Sequence, residues 1–377
     1  MDYGKLALEA HQRLRGKISI KLKDDLSTRE KLSTYYTPGV GAVSSFVAAH
    51  PDKARDYTWL NNSVAVISDG SAVLGLGNIG PYGALPVMEG KAMLFKHFAD
   101  IDAVPIVLDV HSADDIVAAV KAIAPSFGAI NLEDIAAPIC FEVEERLKRE
   151  LHIPVMHDDQ HGTAVVVLAG LINALSVTSR TLEQCRVVIV GAGAAGVAIA
   201  KLLYKYGAPE ILIVDSKGII SASRSDLNTS KKELLKFTNP SGLSGDLKTA
   251  LRGADIFIGV SQANLLSKEM VKSMAKDPII FAMANPNPEI LPDDAYAAGA
   301  AIVATGRSDF DNQVNNALAF PGIFRGALDN QVEKITDDHK IAAAKTIAAL
   351  VEKPNAKEII PSVLDDRLVP AVAKNIT

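Results

Sequence analysis

Cysteine is scarce. Cys140 and Cys185 are the two cysteines in 377 residues, too few for a disulfide framework. Neither has a second Cys or a His at metal-ligand spacing, so both read as small buried hydrophobes. Clustered positive charge is also missing. No Lys/Arg block stands out and the formal net charge is -5, which argues against nucleic acid or an anionic membrane surface as partner and for a small-molecule ligand. The start Met1-Asp2-Tyr3-Gly4-Lys5 lacks the apolar core of a signal peptide, and the longest apolar run, Thr163 to Val177, is too short to span a bilayer. The expected setting is a reducing cytoplasm without membrane attachment. Internal repeats and low-complexity segments are lacking too.

What is present is the composition of a soluble globular protein, 48% hydrophobic and 22% charged, with a length that suits two domains. From Asn61 on, apolar runs of strand length alternate with segments of helical length: Val64–Ile67, Val104–Val110, Ile130–Leu132, Val187–Val190, Ile211–Val214, Ile256–Val260, Ile279–Met283 and Ala301–Ala304. That alternation predicts an α/β protein with largely parallel, doubly covered sheets. The first 35 residues are instead rich in charge. They suggest an exposed helical arm that wraps a neighbouring subunit or, alternatively, a solvated helical face. Thr163–Val177 is apolar on nearly all sides, as expected of a buried helix connecting two domains. The division is placed at residues 1–158 and 159–377.

Gly-x-Gly-x-x-Gly occurs twice, at Gly75–Gly80 and Gly191–Gly196. The second copy, Gly191-Ala192-Gly193-Ala194-Ala195-Gly196, follows the strand Arg186–Val190 directly and opens the small, apolar helix Ala194–Tyr206. A further strand ends in Asp215, 24 residues after Gly191, where a carboxylate can accept hydrogen bonds from adenosine ribose hydroxyls. That is the complete unit of a dinucleotide-binding Rossmann fold. Asp215 argues for NAD, because a carboxylate repels the 2′-phosphate of NADP. Lys217 is either an ordinary exposed charge or a phosphate ligand, so the choice of NAD or NADP stays open. The first copy lacks this context and reads as a tight loop lining the active cleft.

Glu133-Asp134 and Asp158-Asp159 both follow apolar, strand-like runs. Neighbouring residues can share one ion where a strand gives way to a loop. Glu133, Asp134 and Asp159, without thiolate or imidazole, would suit Mg²⁺ or Mn²⁺. They could equally be surface loop acids or helix caps. His157 and His161 flank the second pair and are left out of the metal shell.

Tyr35-Tyr36-Thr37-Pro38-Gly39-Val40 and Pro86-Val87-Met88-Glu89-Gly90-Lys91 make the pattern more specific. Together with Gly75–Gly80, Leu132-Glu133-Asp134, His157 to Thr163 and Asn285-Pro286, they resemble the malic enzymes, in order along roughly residues 30 to 330. The resemblance implies an N-terminal malic-type α/β domain and a C-terminal Rossmann-type domain. It also implies metal-dependent oxidative decarboxylation of (S)-malate to pyruvate and CO₂ with reduction of NAD or NADP, extending to decarboxylation of oxaloacetate.

On that resemblance Lys91 takes the malate hydroxyl proton, for which its amine must be partly neutral, and Asp158 orients it. The ion on Glu133, Asp134 and Asp159 stabilises the enolate. Tyr36 protonates enolpyruvate, a phenol being a suitable donor at neutral pH. Asn285 and Asn316 hold a substrate carboxylate or the nicotinamide end, with Asn315 as a rival to Asn316. Longer malic enzymes carry an arginine near the first glycine loop, where this chain has Ser71-Ala72-Val73. The departure points to the short microbial type and leaves one carboxylate contact unassigned. A homodimer or larger oligomer is implied. Two other readings are malolactic-type release of lactate with bound cofactor, and a catalytically silent nicotinamide-binding regulator.

Overall fold

A computed structural model describes residues 3–377; the Met1-Asp2 start lies outside them. The chain opens with a helical arm, α1 (Tyr3–Leu14), α2 (Arg29–Tyr35), α3 (Val40–Ala49) and α4 (Ala54–Tyr57), in which no residue is buried. The first sheet then forms from β1 (Ser63–Ser68), β2 (Asp102–Val107), β3 (Ala129–Leu132) and β4 (Val155–His157). Its order is β2-β1-β3-β4 and all pairs are parallel. The crossovers contain α5 (Gly80–Ala99), α6 (Ala113–Ile123) and α7 (Ile139–Glu150). All of β1 and β3 is buried, as continuous apolar runs in a doubly covered parallel sheet should be.

Helix α8 (Asp158–Val177) leads to the second sheet, β5 (Arg186–Val190), β6 (Glu210–Asp215), β7 (Gly218–Ile219), β8 (Ile256–Gly259), β9 (Ile279–Ala282) and β10 (Ile302–Thr305). The order is β10-β9-β8-β5-β6-β7, parallel except for the short β7 edge. The α/β, mostly parallel expectation holds. By length and composition α8 could cross a membrane, contrary to the reading of its apolar run as too short. However, 72% of its most apolar window is packed inside the protein, as befits a core helix. Its buried Asn173 is satisfied, donating to the carbonyls of Ala348 and Ile359 at 2.9 and 3.0 Å. The core does not divide cleanly between the halves. Phe320 and Phe324, of the helix Phe320–Asp329, pack edge-on against Phe95 of α5 with centroids 4.7 and 5.3 Å from its own.

Candidate active site

Lys91 sits in the middle of α5, 7% exposed, with its stem in the core. Its Nζ lies 2.5 Å from Asp158 Oδ2 and 2.8 Å from Glu133 Oε1, and 4.1 Å from the Phe320 ring centroid. Burial opposes the ammonium charge, but Asp158 and Glu133 outweigh it and push the amine above its ordinary range. The expectation of a partly neutral lysine is therefore not met in this arrangement. Asp158 Oδ2 also accepts from Asn316 Nδ2 at 2.5 Å, which joins the second half of the chain to the lysine. Among the described residues Asp158 Oδ1 is buried without a hydrogen-bond partner. It stands where a Cβ on Gly162 would be, at 1.8 Å, so position 162 must be glycine for Asp158 to keep this pose.

Oxygens of Glu133, Asp134 and Asp159 lie within 4.8 Å of one another. Glu133-Asp134 do occupy a turn beyond β3, with Asp134 at φ 54°. Asp158-Asp159 differ from expectation, because β4 runs straight into α8 and places them in its first turn. There the helix dipole favours their charge. They do not cap the helix: Asp159 Oδ2 instead accepts from the backbone N–H of Asp134 at 2.7 Å, tying the two acid pairs together. Burial and the neighbouring carboxylates raise Glu133 well above the usual range, against the pull of Lys91. An all-oxygen cluster crowded with like charge fits a hard divalent cation.

Behind this cluster is a residue that motif reading missed. Glu144 of α7 accepts from the backbone N–H of His157 at 3.0 Å, from Gln160 Nε2 at 3.3 Å and from His161 Nε2 at 2.8 Å, and pairs with Lys148 at 2.6 Å. Burial opposes its charge, but His161 and Lys148 hold its carboxyl well below the usual range. It thus pins the β4–α8 turn that presents Asp158 and Asp159. Glu144 lies in an ordinary-looking charged helix, and no spacing rule marks it. His161 is consumed in this network, and His157 is fully buried with Nε2 3.8 Å from Asp159 Oδ2.

At the second sheet the three fingerprint glycines have three different surroundings. Gly191 turns at φ 117°, where a Cβ would meet the Val260 carbonyl at 2.7 Å, and a Cβ on Gly196 would meet the Gly191 carbonyl at 1.8 Å. A Cβ on Gly193 would meet nothing within 4 Å. The first and third glycines allow close packing, and the middle one leaves open space before α9 (Ala194–Tyr206), whose N-cap has no side-chain hydrogen bond. Ala192, Ala194 and Ala195 keep the path clear. That shape fits a pyrophosphate docked on free backbone N–H groups. Asp215 ends β6 and lines a cleft of about 730 Å³ with Ser216, Lys217 and Arg224.

The family model for the malic enzyme N-terminal domain matches residues 15–114 and 110–148, and that for the malic enzyme NAD-binding domain matches 160–376. The chain is 55% identical to the bifunctional malic/malolactic enzyme of Bacillus subtilis, covering 98% of this chain and 91% of that protein. It is 48% identical to the NADP-dependent malic enzyme of Rhizobium meliloti, covering 94% of this chain and 46% of the relative. The crystal structure of the NAD-dependent malic enzyme of Thermotoga maritima matches with TM-score 0.96 and 53% identity over 98% of both chains.

The chain belongs to the malic enzyme family. Four residues singled out by its sequence resemblance can now be placed. Asn316 reaches the lysine site through Asp158, whereas Asn315 uses its side-chain oxygen to accept the Ala317 N–H at 2.8 Å as a local cap. Asn285 is exposed in the turn after β9, and its carbonyl would stand 2.8 Å from a Cβ on Gly75. The first glycine loop therefore abuts the dinucleotide half of this malic enzyme cleft. Tyr36, by contrast, is 67% exposed at the end of α2. No hydrogen bond between described residues links its hydroxyl to Lys91 or the carboxylates.

Proposed function

We propose that the chain is a divalent-metal-dependent malic enzyme that oxidises (S)-malate with NAD or NADP and decarboxylates it to pyruvate and CO₂. The observation that carries this reading is Lys91 Nζ held between Asp158 and Glu133, beside the acid cluster and tied through Asn316 to the dinucleotide half. A divalent cation held by Glu133, Asp134 and Asp159 would supply Lewis-acid stabilisation of charge on the substrate oxygen. Asp158 Oδ2 is placed to accept the proton of Lys91, which frees the amine to take the C2 hydroxyl proton, and a bound nicotinamide would accept the C2 hydride. Breaking the C3–C4 bond releases CO₂ and leaves its electron pair in enolpyruvate, which the Tyr36 hydroxyl protonates at C3. Asn316 and Asn285 orient substrate and nicotinamide.

Tyr36 stands exposed at the end of its arm, and no hydrogen bond among the described residues ties it to Lys91 of the same chain. The arm also leaves Leu8, Leu14, Ile20, Leu22 and Tyr35 uncovered, more apolar surface than a free arm would show to water. These facts support a homodimer in which each arm lies over the partner's cleft and brings Tyr36 to the partner's lysine.

Full-length protein with Mn²⁺, (S)-malate and NAD or NADP should form reduced cofactor and pyruvate in equal amounts, and a chelator should stop both. One finding favours a second outcome, since the Bacillus subtilis relative is named as bifunctional malic/malolactic. Lactate without net cofactor reduction would select it. Neither product would sink both readings.

A further inference from the structure

Glu289 is fully buried, yet no step of the proposed reaction calls on it. Among the described residues no cationic side chain pairs with it, and its oxygens meet backbone alone. Oε1 accepts from the N–H of Ser261 at 3.2 Å and Oε2 from the N–H of Ala284 at 3.0 Å. Burial pushes its carboxyl above the ordinary value, against the pull of the Ala284, Glu289 and Ser261 N–H groups. A buried charge of this kind is costly, and a well-packed apolar side chain would hold the same strands without that cost. Stability alone does not account for a carboxylate here.

The two N–H groups belong to the ends of neighbouring parallel strands. Ser261 follows β8 and Ala284 follows β9, at the edge of the sheet where ligands of open α/β folds sit. The end of β8 is shaped around the carboxylate, since a Cβ on Gly259 would strike Glu289 Cδ and Oε1. Val260, between Gly259 and Ser261, packs its carbonyl against Gly191 of the pyrophosphate loop, and Ser261 lines the cleft beside Asp215. On the other side, Ala284 directly precedes Asn285. The side-chain amide of Asn285 lies 2.8 Å from where a Cβ on Gly306 would stand, and its carbonyl abuts Gly75. One carboxylate therefore spans from the turn beside the pyrophosphate loop to the asparagine assigned to substrate and nicotinamide.

Resting on the reading of this sheet edge as the dinucleotide site, we propose that Glu289 is a positioning residue for hydride transfer. It holds the Val260-Ser261 turn and Asn285 at a fixed separation and so sets the dinucleotide against the substrate. An acceptor is needed at both ends. Glutamine in its place would turn an NH₂ group against one backbone N–H and release that end.

The test compares Glu289→Gln with Ile280→Val, which removes one methylene from buried β9 and lowers stability without touching the clamp. In fluorescence titration of the full chain, Glu289→Gln should weaken NADH about tenfold. With Mn²⁺, malate and cofactor saturating, its kcat should fall about tenfold, while the KM for malate moves less than about twofold because Lys91 and Asn316 keep their places. Ile280→Val should change none of the three. Should Glu289→Gln fold poorly, Gly259→Ala, which drives a methyl into the carboxylate from the other side, should give the same split of kcat from KM. A lower thermal midpoint in Glu289→Gln with NADH affinity and kcat like those of Ile280→Val would overturn the proposal, as would a Gly259→Ala variant without the split. Wild type that binds no NADH would overturn the dinucleotide-site reading instead.

Discussion

At the acid cluster this protein works with side-chain charge, whereas at the glycine loop it works with backbone shape. Lys91, Asp158 and Glu133 balance one another through short ionic contacts inside the core, and Asp159 is tied to Asp134 through a backbone N–H, so each depends on the identity of the others. Gly191 and Gly196 depend on what a Cβ would strike, and Gly193 on the space it leaves open. The first kind of site is lost by removing a functional group, and the second by adding a methyl. The difference follows from the proposed ligands: a small dicarboxylate and an ion demand placed charges, while a pyrophosphate is held by N–H groups that every residue but proline has.

The largest expected effect tests the charge side. Lys91→Ala should lower malate oxidation by about 10³-fold or more while NADH titration stays unchanged. A parallel loss of NADH binding would mean that the two regions are not separable. Next in size is complementation between copies. Tyr36→Phe and Lys91→Ala chains, each inactive, should regain about a quarter of wild-type activity when mixed and reassembled, since half the dimers are hybrid and each hybrid holds one intact site. No recovery from exchanged subunits would put Tyr36 and Lys91 in the same chain.

The shape side predicts opposite behaviour at neighbouring glycines. Gly196→Ala should cost about 1–3 kcal/mol through overpacking, read as a lower thermal midpoint. Gly193→Ala should leave the midpoint nearly unchanged and weaken NADH by about tenfold, as a methyl enters the pyrophosphate space. Glu144→Gln should lower Mn²⁺ affinity by about tenfold with a stability loss of about 1–3 kcal/mol; a stability loss with normal Mn²⁺ binding would reduce Glu144 to scaffolding. The smallest effect concerns pH. Burial opposes the Asp215 charge, but Arg224 and Lys231 hold its carboxyl down to about 2 from 3.8. The resulting stability is present above about pH 4 and is lost as pH falls toward 2, worth about 2 kcal/mol. Asp215→Asn should therefore be less stable than wild type at pH 7, with a gap that narrows by pH 3. A constant gap would assign the effect to packing.

The strands, the glycine loop and the acids at strand ends were legible because each follows a short-range rule. A buried parallel strand is a continuous apolar run, a pyrophosphate turn needs glycine at fixed offsets, and a side chain just beyond a strand faces the cleft. The chain by itself therefore determined the fold class, the cofactor cradle and the family motifs at Tyr36, Lys91, Glu133, Asp134 and Asp158-Asp159. Only the tertiary structure decided how charge is shared. Lys91 meets Asp158 across 67 positions, Asn316 meets Asp158 across 158, and Glu144 steadies the α8 turn from another helix. Asp215 is cancelled by Arg224 from the loop beyond β7 and by Lys231 from the helix Thr229–Leu234 that follows. Electrostatic balance depends on distances of a few ångströms between residues far apart in sequence, and no local pattern encodes those distances.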